Sequence, residues 1–234
     1  HPQTAKVALI ICPMWFLAQG SYNWSLAATS VASSTILAST SALFTLGFSI
    51  LLLGERLTWL KSLGVMFSIG GAVCVGLADH DNSENHLWGD ALALLSAFMY
   101  GLYSTYIRKL VPETLVKMTH FFGFLGTFNM LLLSPLVLGL YLGGVEQLGR
   151  LSWEIFGLLL IKGLVDNVLS DWMWARAIVL TSPTIATVAL SLTIPLSMIA
   201  DWWLHGDTPS PALIAGSVLV TAGFISVNAG SEEN

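Results

Sequence analysis

The feature that most limits what this chain can become is a series of long apolar windows. A helix rises about 1.5 Å per residue, so crossing about 30 Å of hydrocarbon takes roughly 20 mostly apolar residues. Eight windows reach that length, at roughly 5–28, 30–53, 59–78, 88–108, 117–142, 153–179, 183–204 and 210–229. Breakers separate them: Gly54-Glu55-Arg56, the polar loop Asp79 to His86, Arg108-Lys109 with Pro112, Gly143-Gly144, Ser182-Pro183, and Gly206 to Pro211. No run alternates apolar with polar residues, as barrel strands of about 10 residues do. The expected fold is an all-α integral membrane protein with eight transmembrane helices.

Composition agrees. Apolar residues are 55% of the chain and charged residues 10%, where a water-soluble domain carries about 25% charge. Lipid is therefore the main solvent. Nine Lys and Arg against 14 Asp and Glu leave no basic face for nucleic acid. Cys12 and Cys74 lie inside apolar runs and act as small hydrophobes. Eight crossings bring both termini to one side. Lys6, Arg56, Lys61, Arg108, Lys109 and Lys117 fall there, with Arg176 close to it, while Arg150 falls opposite with Asp79, Asp81 and Glu84. That bias predicts cytosolic termini. Trp59, Trp88 and Trp153 sit at span ends, as interfacial belts do. His1 is no initiator Met, and no signal-peptide segment precedes the first span, so a fragment or a chain missing its first spans is expected.

The chain also matches itself. At a shift of 152 residues Thr29, Ser30, Thr35, Ser39, Gly54, Gly64, Gly71 and Val75 fall on Thr181, Ser182, Thr187, Ser191, Gly206, Gly216, Gly223 and Val227. Five spans, an odd number, separate the copies. Equivalent helices then cross in opposite directions, which predicts an inverted-topology repeat with a solute site between the halves.

The stretch Val31 to Ser41 (VASSTILASTS), with Phe44-Thr45-Leu46, resembles a signature of the drug/metabolite transporter superfamily, EamA-like, closest to the F subgroup of solute carrier family 35. Phe121 to Asn129, Val168 to Asp171 with Trp174, and Ala189 to Asp201 agree with it. The resemblance implies a ten-helix fold of two inverted five-helix halves, here lacking its first two helices. Residues 1–78 would be the last three helices of the first repeat, 79–87 a polar non-cytosolic loop, 88–229 the second repeat, and 230–234 a cytosolic tail. It further implies secondary-active transport of a small polar solute by alternating access, in an endomembrane such as that of the Golgi or vacuole. Related family-35 carriers of nucleotide sugars bear a Gly-Ala-Leu-Asn-Lys motif. The matching stretch here, Val188 to Ile194, has no Lys, and a buried phosphate wants a cation.

Polar residues inside spans mark the candidate site, because an intramembrane charge costs about 2.5–3.5 kcal/mol on insertion scales. The sixth span holds Lys162, Asp166, Asn167, Ser170, Asp171 and Arg176. Lys162 and Asp166 are spaced to pair on one helix face, either neutralising each other or facing a cavity. Asp171 is the leading carboxylate for coupling or solute contact, and the shift places Gln19 opposite it and Trp15 opposite Asn167. Gln19 and Asn23 share a face that either lines a cavity or bonds across helices. Asn129, Ser39 and Thr193 complete the solute-cavity candidates. Asp201 is expected at the non-cytosolic interface, and Pro13 and Pro195 each remove a backbone bond within a span. The expected cavity is lined by the sixth span with the first, second, fifth and seventh.

Enzyme chemistry is not expected. His1, His80, His86, His120 and His205 lie at span ends or in loops with no metal-ligand spacing, and neither GxSxG nor GxxxxGK occurs. No catalytic residue, cofactor or metal is assigned. The expected partners are a small-molecule solute, membrane lipid and a second copy in a homodimer, with no nucleic acid. Competing readings are a non-transporting scaffold, an inactive truncated carrier and a nucleotide-sugar carrier.

Overall fold

The computed structural model describes residues 2–78, 87–111, 118–143, 152–205 and 208–232. The loop Asp79 to His86, Pro112, Lys117, Gly144, Arg150 and Gly206 lie outside them, as do the side chains of Asp166, Asp201 and His205. Among the described residues the regular structure is helical: α1 (Pro2–Ala28), α2 (Val31–Ser39), α3 (Ser41–Leu53), α4 (Trp59–Ala78), α5 (Leu87–Leu110), α6 (Met118–Leu142), α7 (Trp153–Lys162), a π-helical segment (Gly163–Leu169), α8 (Ser170–Leu180), α9 (Pro183–Leu190), α10 (Thr193–His205) and α11 (Pro211–Glu232). Among the described residues five segments are long and apolar enough to cross a membrane: 3–28, 33–53, 59–77, 183–204 and 211–231.

Three predicted spans are not simple helices. The second breaks at Thr40, between α2 and α3, and the seventh breaks at Ser191-Leu192, between α9 and α10. At both places amides bond three residues back, as from Thr40 to Leu37 and from Ser191 to Val188, so one turn tightens and redirects the axis. The sixth carries the π segment between α7 and α8. A π turn takes more than four residues, so the α-helical spacing assumed between Lys162 and Asp166 is not the one the backbone adopts. Pro13, by contrast, sits inside an unbroken α1.

Burial is sorted by size more than by polarity. Among the described residues the buried polar side chains other than Lys61 are Ser or Thr, whereas the large apolar side chains left exposed are Leu, Ile, Val, Met, Phe and Trp. Between lipid and protein there is no hydrophobic gradient to drive packing, so helices associate through small residues that let backbones approach. The hydroxyls satisfy themselves on the preceding turn, as Thr45 does on the Ser41 carbonyl (2.8 Å) and Thr105 on the Gly101 carbonyl (2.8 Å).

The α4–α11 crossing takes this furthest. A Cβ on Gly64 would stand 2.6 Å from the Gly223 carbonyl oxygen, and one on Gly223 would stand 2.6 Å from that of Gly64. Gly71 and Gly216 oppose each other in the same way, at 2.6 and 2.7 Å. Val227 lies against Gly64 and Val75 against Gly216. Partner numbers fall as residue numbers rise, so the helices run antiparallel. Each contact also has a mate in which both residues are replaced by their equivalents 152 positions away. Reciprocity of that kind is what a local two-fold produces.

Helix bounds recur at the same interval. The starts of α2, α3 and α4 (Val31, Ser41, Trp59) fall on those of α9, α10 and α11 (Pro183, Thr193, Pro211). The ends of α1 and α3 (Ala28, Leu53) fall on those of α8 and α10 (Leu180, His205). Ser30 and Ser182 cap α2 and α9 alike, each side chain accepting from an amide three residues on.

At the other end of the bundle α1, α2 and α5 meet at Asp90, whose Oδ1 accepts from Thr29 Oγ1 (3.0 Å) and Ser33 Oγ (2.7 Å). Losing Asp90 removes the acceptor that these two hydroxyls share. Asp90→Ala is expected to cost about 1–3 kcal/mol, with Asp90→Asn costing less, read as the melting temperature in detergent.

Candidate functional site

Both helix breaks open onto one cavity of about 340 Å³. From the first broken helix come Thr35, Ala38, Ser39, Ser41 and Ala42, and from the second Thr187, Leu190, Ser191, Thr193 and Ile194. Each of the first five has its equivalent, 152 residues on, in the second five. The two breaks therefore contribute matching residues to one cavity. Gln19 and Tyr22 of α1, Ala72 of α4, and Ser96, Ala97 and Tyr100 of α5 complete the wall. No ionisable carboxylate or basic side chain lines it among the described residues.

The polar side chains are held by their own helices. Ser39 Oγ donates to the Ile36 carbonyl (2.6 Å) and Thr193 Oγ1 to the Leu190 carbonyl (2.8 Å). Ser191 Oγ accepts from Ser68 of α4 (2.9 Å), tying one break to the neighbouring helix. A hydroxyl oxygen that donates backwards keeps lone pairs for a solute, so the cavity offers hydrogen-bonding groups without charge.

Beside the cavity α3 packs on α9, with Thr45 and Thr187 both buried and their hydroxyls 3.4 Å apart. The residues equivalent to these two, Ser197 and Thr35, are both exposed. Two sets of matching residues thus hold unlike environments.

Of the sequence-selected residues, Gln19, Ser39 and Thr193 meet in this cavity. Asp171, Asn129 and Asn167 do not. They border a second, mostly apolar crevice of about 1010 Å³ between α1, α6 and the π segment, with Trp15 and Trp172. Asn129 Nδ2 donates to the Leu125 carbonyl (3.1 Å), and its Oδ1 is buried without a partner. Asn23 is exposed and donates to the Gln19 carbonyl (2.8 Å). Lys162 is exposed, and the Arg176 guanidinium lies 5.5 Å from the centre of the Trp172 ring. Asp166 belongs to the π segment, its side chain outside the described residues. The fifth and sixth spans are thus absent from the central wall, and α4 and α5 stand in their place.

Tyr100 and Trp174 divide the two cavities. Their ring centres are 5.5 Å apart, and Tyr103 packs on both. The Tyr100 hydroxyl neighbours Thr187 and Trp174, yet it and the indole N–H are buried at geometries that make no hydrogen bond. Nothing in the sequence marked Tyr100, because α5 carries an ordinary apolar pattern. A usable signal was the small-residue face of Ser96, Ala97, Gly101, Ser104 and Thr105, all buried, which shows how closely α5 is held. An unpartnered hydroxyl contributes nothing to folding. Tyr100→Phe is expected to leave the melting temperature unchanged or higher, whereas Tyr100→Ala, which opens a void beside Trp174, is expected to lose about 3–5 kcal/mol.

Helices of these lengths, with small residues inside and large apolar ones outside, define an integral membrane protein of the helical-bundle type. The EamA-like transporter family matches residues 2–77 and 87–229, and the chain belongs to that family. It is 39% identical over 97% of its length to a fission yeast (Schizosaccharomyces pombe) protein named as an uncharacterised transporter, covering 69% of that protein. It is 37% identical to an uncharacterised vacuolar membrane protein of Saccharomyces cerevisiae, over 99% of this chain and 63% of that one. It is 39% identical to solute carrier family 35 member F5 of Bos taurus, over 95% of this chain and 43% of that one. The chain thus spans between two fifths and about two thirds of these relatives. A solved crystal structure shares the fold, with a TM-score of 0.71 at 18% identity, covering 99% of this chain and 85% of that one. Family membership points to a transporter rather than an enzyme.

Proposed function

We propose that the chain carries a small polar solute across an endomembrane by alternating access, with the cavity at the two helix breaks as the solute site. The observation that carries this reading is the matched lining of that cavity, five residues from each broken helix at one interval. Helices broken at midplane between inverted halves are how secondary transporters build solute sites. The reciprocal glycine contacts and the recurring helix bounds support two inverted portions in eight spans. In this reading residues 1–78 belong to the first portion and 88–229 to the second, 79–87 is a non-cytosolic loop, and 230–234 is a cytosolic tail.

The charge bias of the loops supports cytosolic termini. The α3–α9 contact at Thr45 and Thr187 then lies on the cytosolic side of the cavity. The vacuolar name of one relative supports an endomembrane. The uncharged lining favours a neutral solute over a nucleotide sugar, since an unpaired phosphate in a low-dielectric site is costly.

The test is uptake into proteoliposomes across a panel of tritiated neutral metabolites (nucleosides, polyols, amides) and nucleotide sugars. Saturable uptake of a neutral solute is expected, falling at least tenfold in Ser191→Trp, which fills the cavity. Saturable uptake that survives Ser191→Trp would place the solute elsewhere. Absence of saturable uptake of every compound would favour a scaffold.

A further inference from the structure

Gln19 and Tyr22 face the central cavity, while their equivalents at the 152-residue interval, Asp171 and Trp174, stay out of it. Asp171 borders the apolar crevice, and Trp174 is packed behind Tyr100. The same inequality appears at the α3–α9 contact, where Thr45 and Thr187 are buried and Ser197 and Thr35 are exposed. Two portions with matching helix bounds therefore hold two different conformations around one cavity. Exchanging these conformations between the matching segments gives a second arrangement of the cavity.

We propose that Asp171 and Trp174 occupy the places of Gln19 and Tyr22 when the cavity opens toward the other side, so that the site is uncharged in one state and holds a carboxylate in the other. The inference rests on the alternating-access reading above. A carboxylate brought among hydroxyls and aromatic rings must be neutralised. The state holding Asp171 therefore takes one positive charge, and the state holding Gln19 takes none. One amide-for-acid difference between matching positions would make the return step depend on that charge. Asp171 would act by direct contact with the cavity, while Tyr100, lying between Gln19's cavity and Trp174, would be displaced during the exchange.

Thiol labelling tests this without knowledge of the solute. In a background with Cys12→Ala and Cys74→Ala, Gln19→Cys and Trp174→Cys are each exposed to a membrane-impermeant thiol reagent, in sealed vesicles of either orientation. The expected result is labelling of Gln19→Cys from one face and of Trp174→Cys from the opposite face only. Labelling of both from the same face, or of Trp174→Cys only by a lipid-soluble maleimide, would overturn the exchange while leaving a transport cavity in place. Labelling of Gln19→Cys from both faces at once, or from neither, would instead remove the alternating-access reading.

The charge has its own readout. Ser191→Cys lies at a helix break lining the cavity and should be reached from both faces. At pH 8 a cationic thiol reagent should outpace an anionic one by about tenfold from the face that meets Asp171, with no preference from the other. Asp171→Asn should abolish the preference, and a preference that survives it would overturn the assignment. If the preference fades between pH 8 and pH 5, the charge taken is a proton. If it persists, Asp171 stays ionised and the charge taken is a cation other than the proton.

Discussion

The double substitution Gly64→Ala/Gly71→Ala is expected to cost about 2–6 kcal/mol, enough to depress strongly the folded population in mild detergent. Each methyl would lie about 2.6 Å from a backbone carbonyl of α11, and a backbone cannot swing aside as a side chain can. Overpacking costs typically about 1–3 kcal/mol per site. The two sites are two turns apart, about 10 Å along the axis, so their effects should nearly add. Gly70→Ala is the control. It adds the same methyl to the same helix with nothing within 4 Å, and is expected to be neutral or to stabilise by up to about 1 kcal/mol through helix propensity. Thermal melts of the purified variants separate the cases. If the double variant melted with the wild type, the α4–α11 crossing would not be as close as described.

The second large effect is expected at Lys61. Only 3% of this residue is exposed, and Nζ lies 3.2 Å from Glu55 Oε2 across the α3–α4 turn. That turn is made by Gly54, whose φ of 70° is the left-handed value that ends α3. Its loop is tied to α11 by Thr58 Oγ1 donating to the Gly230 carbonyl (3.1 Å). Removing one partner of a buried pair leaves a charge uncompensated and costs about 3–5 kcal/mol. Glu55→Ala should fall at the lower end, because a polar pocket of about 630 Å³ adjoins the pair and can admit water to Lys61. Lys61→Met is expected to cost far less, since it leaves only the more exposed Glu55, and the double variant Glu55→Ala/Lys61→Met should recover most of the loss. The cycle is read from melting temperatures. Equal losses for the two single variants would mean that the lysine is not buried in solution.

How far the residues alone reach can be judged from particular elements. Membrane residence followed from window length and the near absence of charge, because the bilayer imposes one length and one polarity on every span. The internal match followed from Gly and Ser recurring at one interval. Those residue types are set by local demands, close approach and helix capping, that each half must meet separately. The Ser30 and Ser182 caps and the four glycines of α4 and α11 were legible for that reason.

The composition of the central wall was not legible in the same way. Asp171 and Gln19 stand at matching positions in the sequence, yet one borders the crevice and the other the cavity. A helix pattern gives the face a residue is on and says nothing about the neighbour that face meets. Tyr100 and Ser96 were passed over because α5 reads as an ordinary apolar helix. The helix break at Thr40 carries no proline or glycine, whereas the one at Ser191-Leu192 lies four residues before Pro195, which cannot bond back to the Ser191 carbonyl, and the π segment opens on Gly163.

From its sequence alone this chain determines that it dissolves in a bilayer, which residue types pack inside it, and the family to which it belongs. Only the tertiary structure decides which of two matching residues reaches the cavity and where the spans break. The reason is that burial in lipid is a property of each segment by itself, whereas the lining of a cavity is a relation between segments that share the same local preferences.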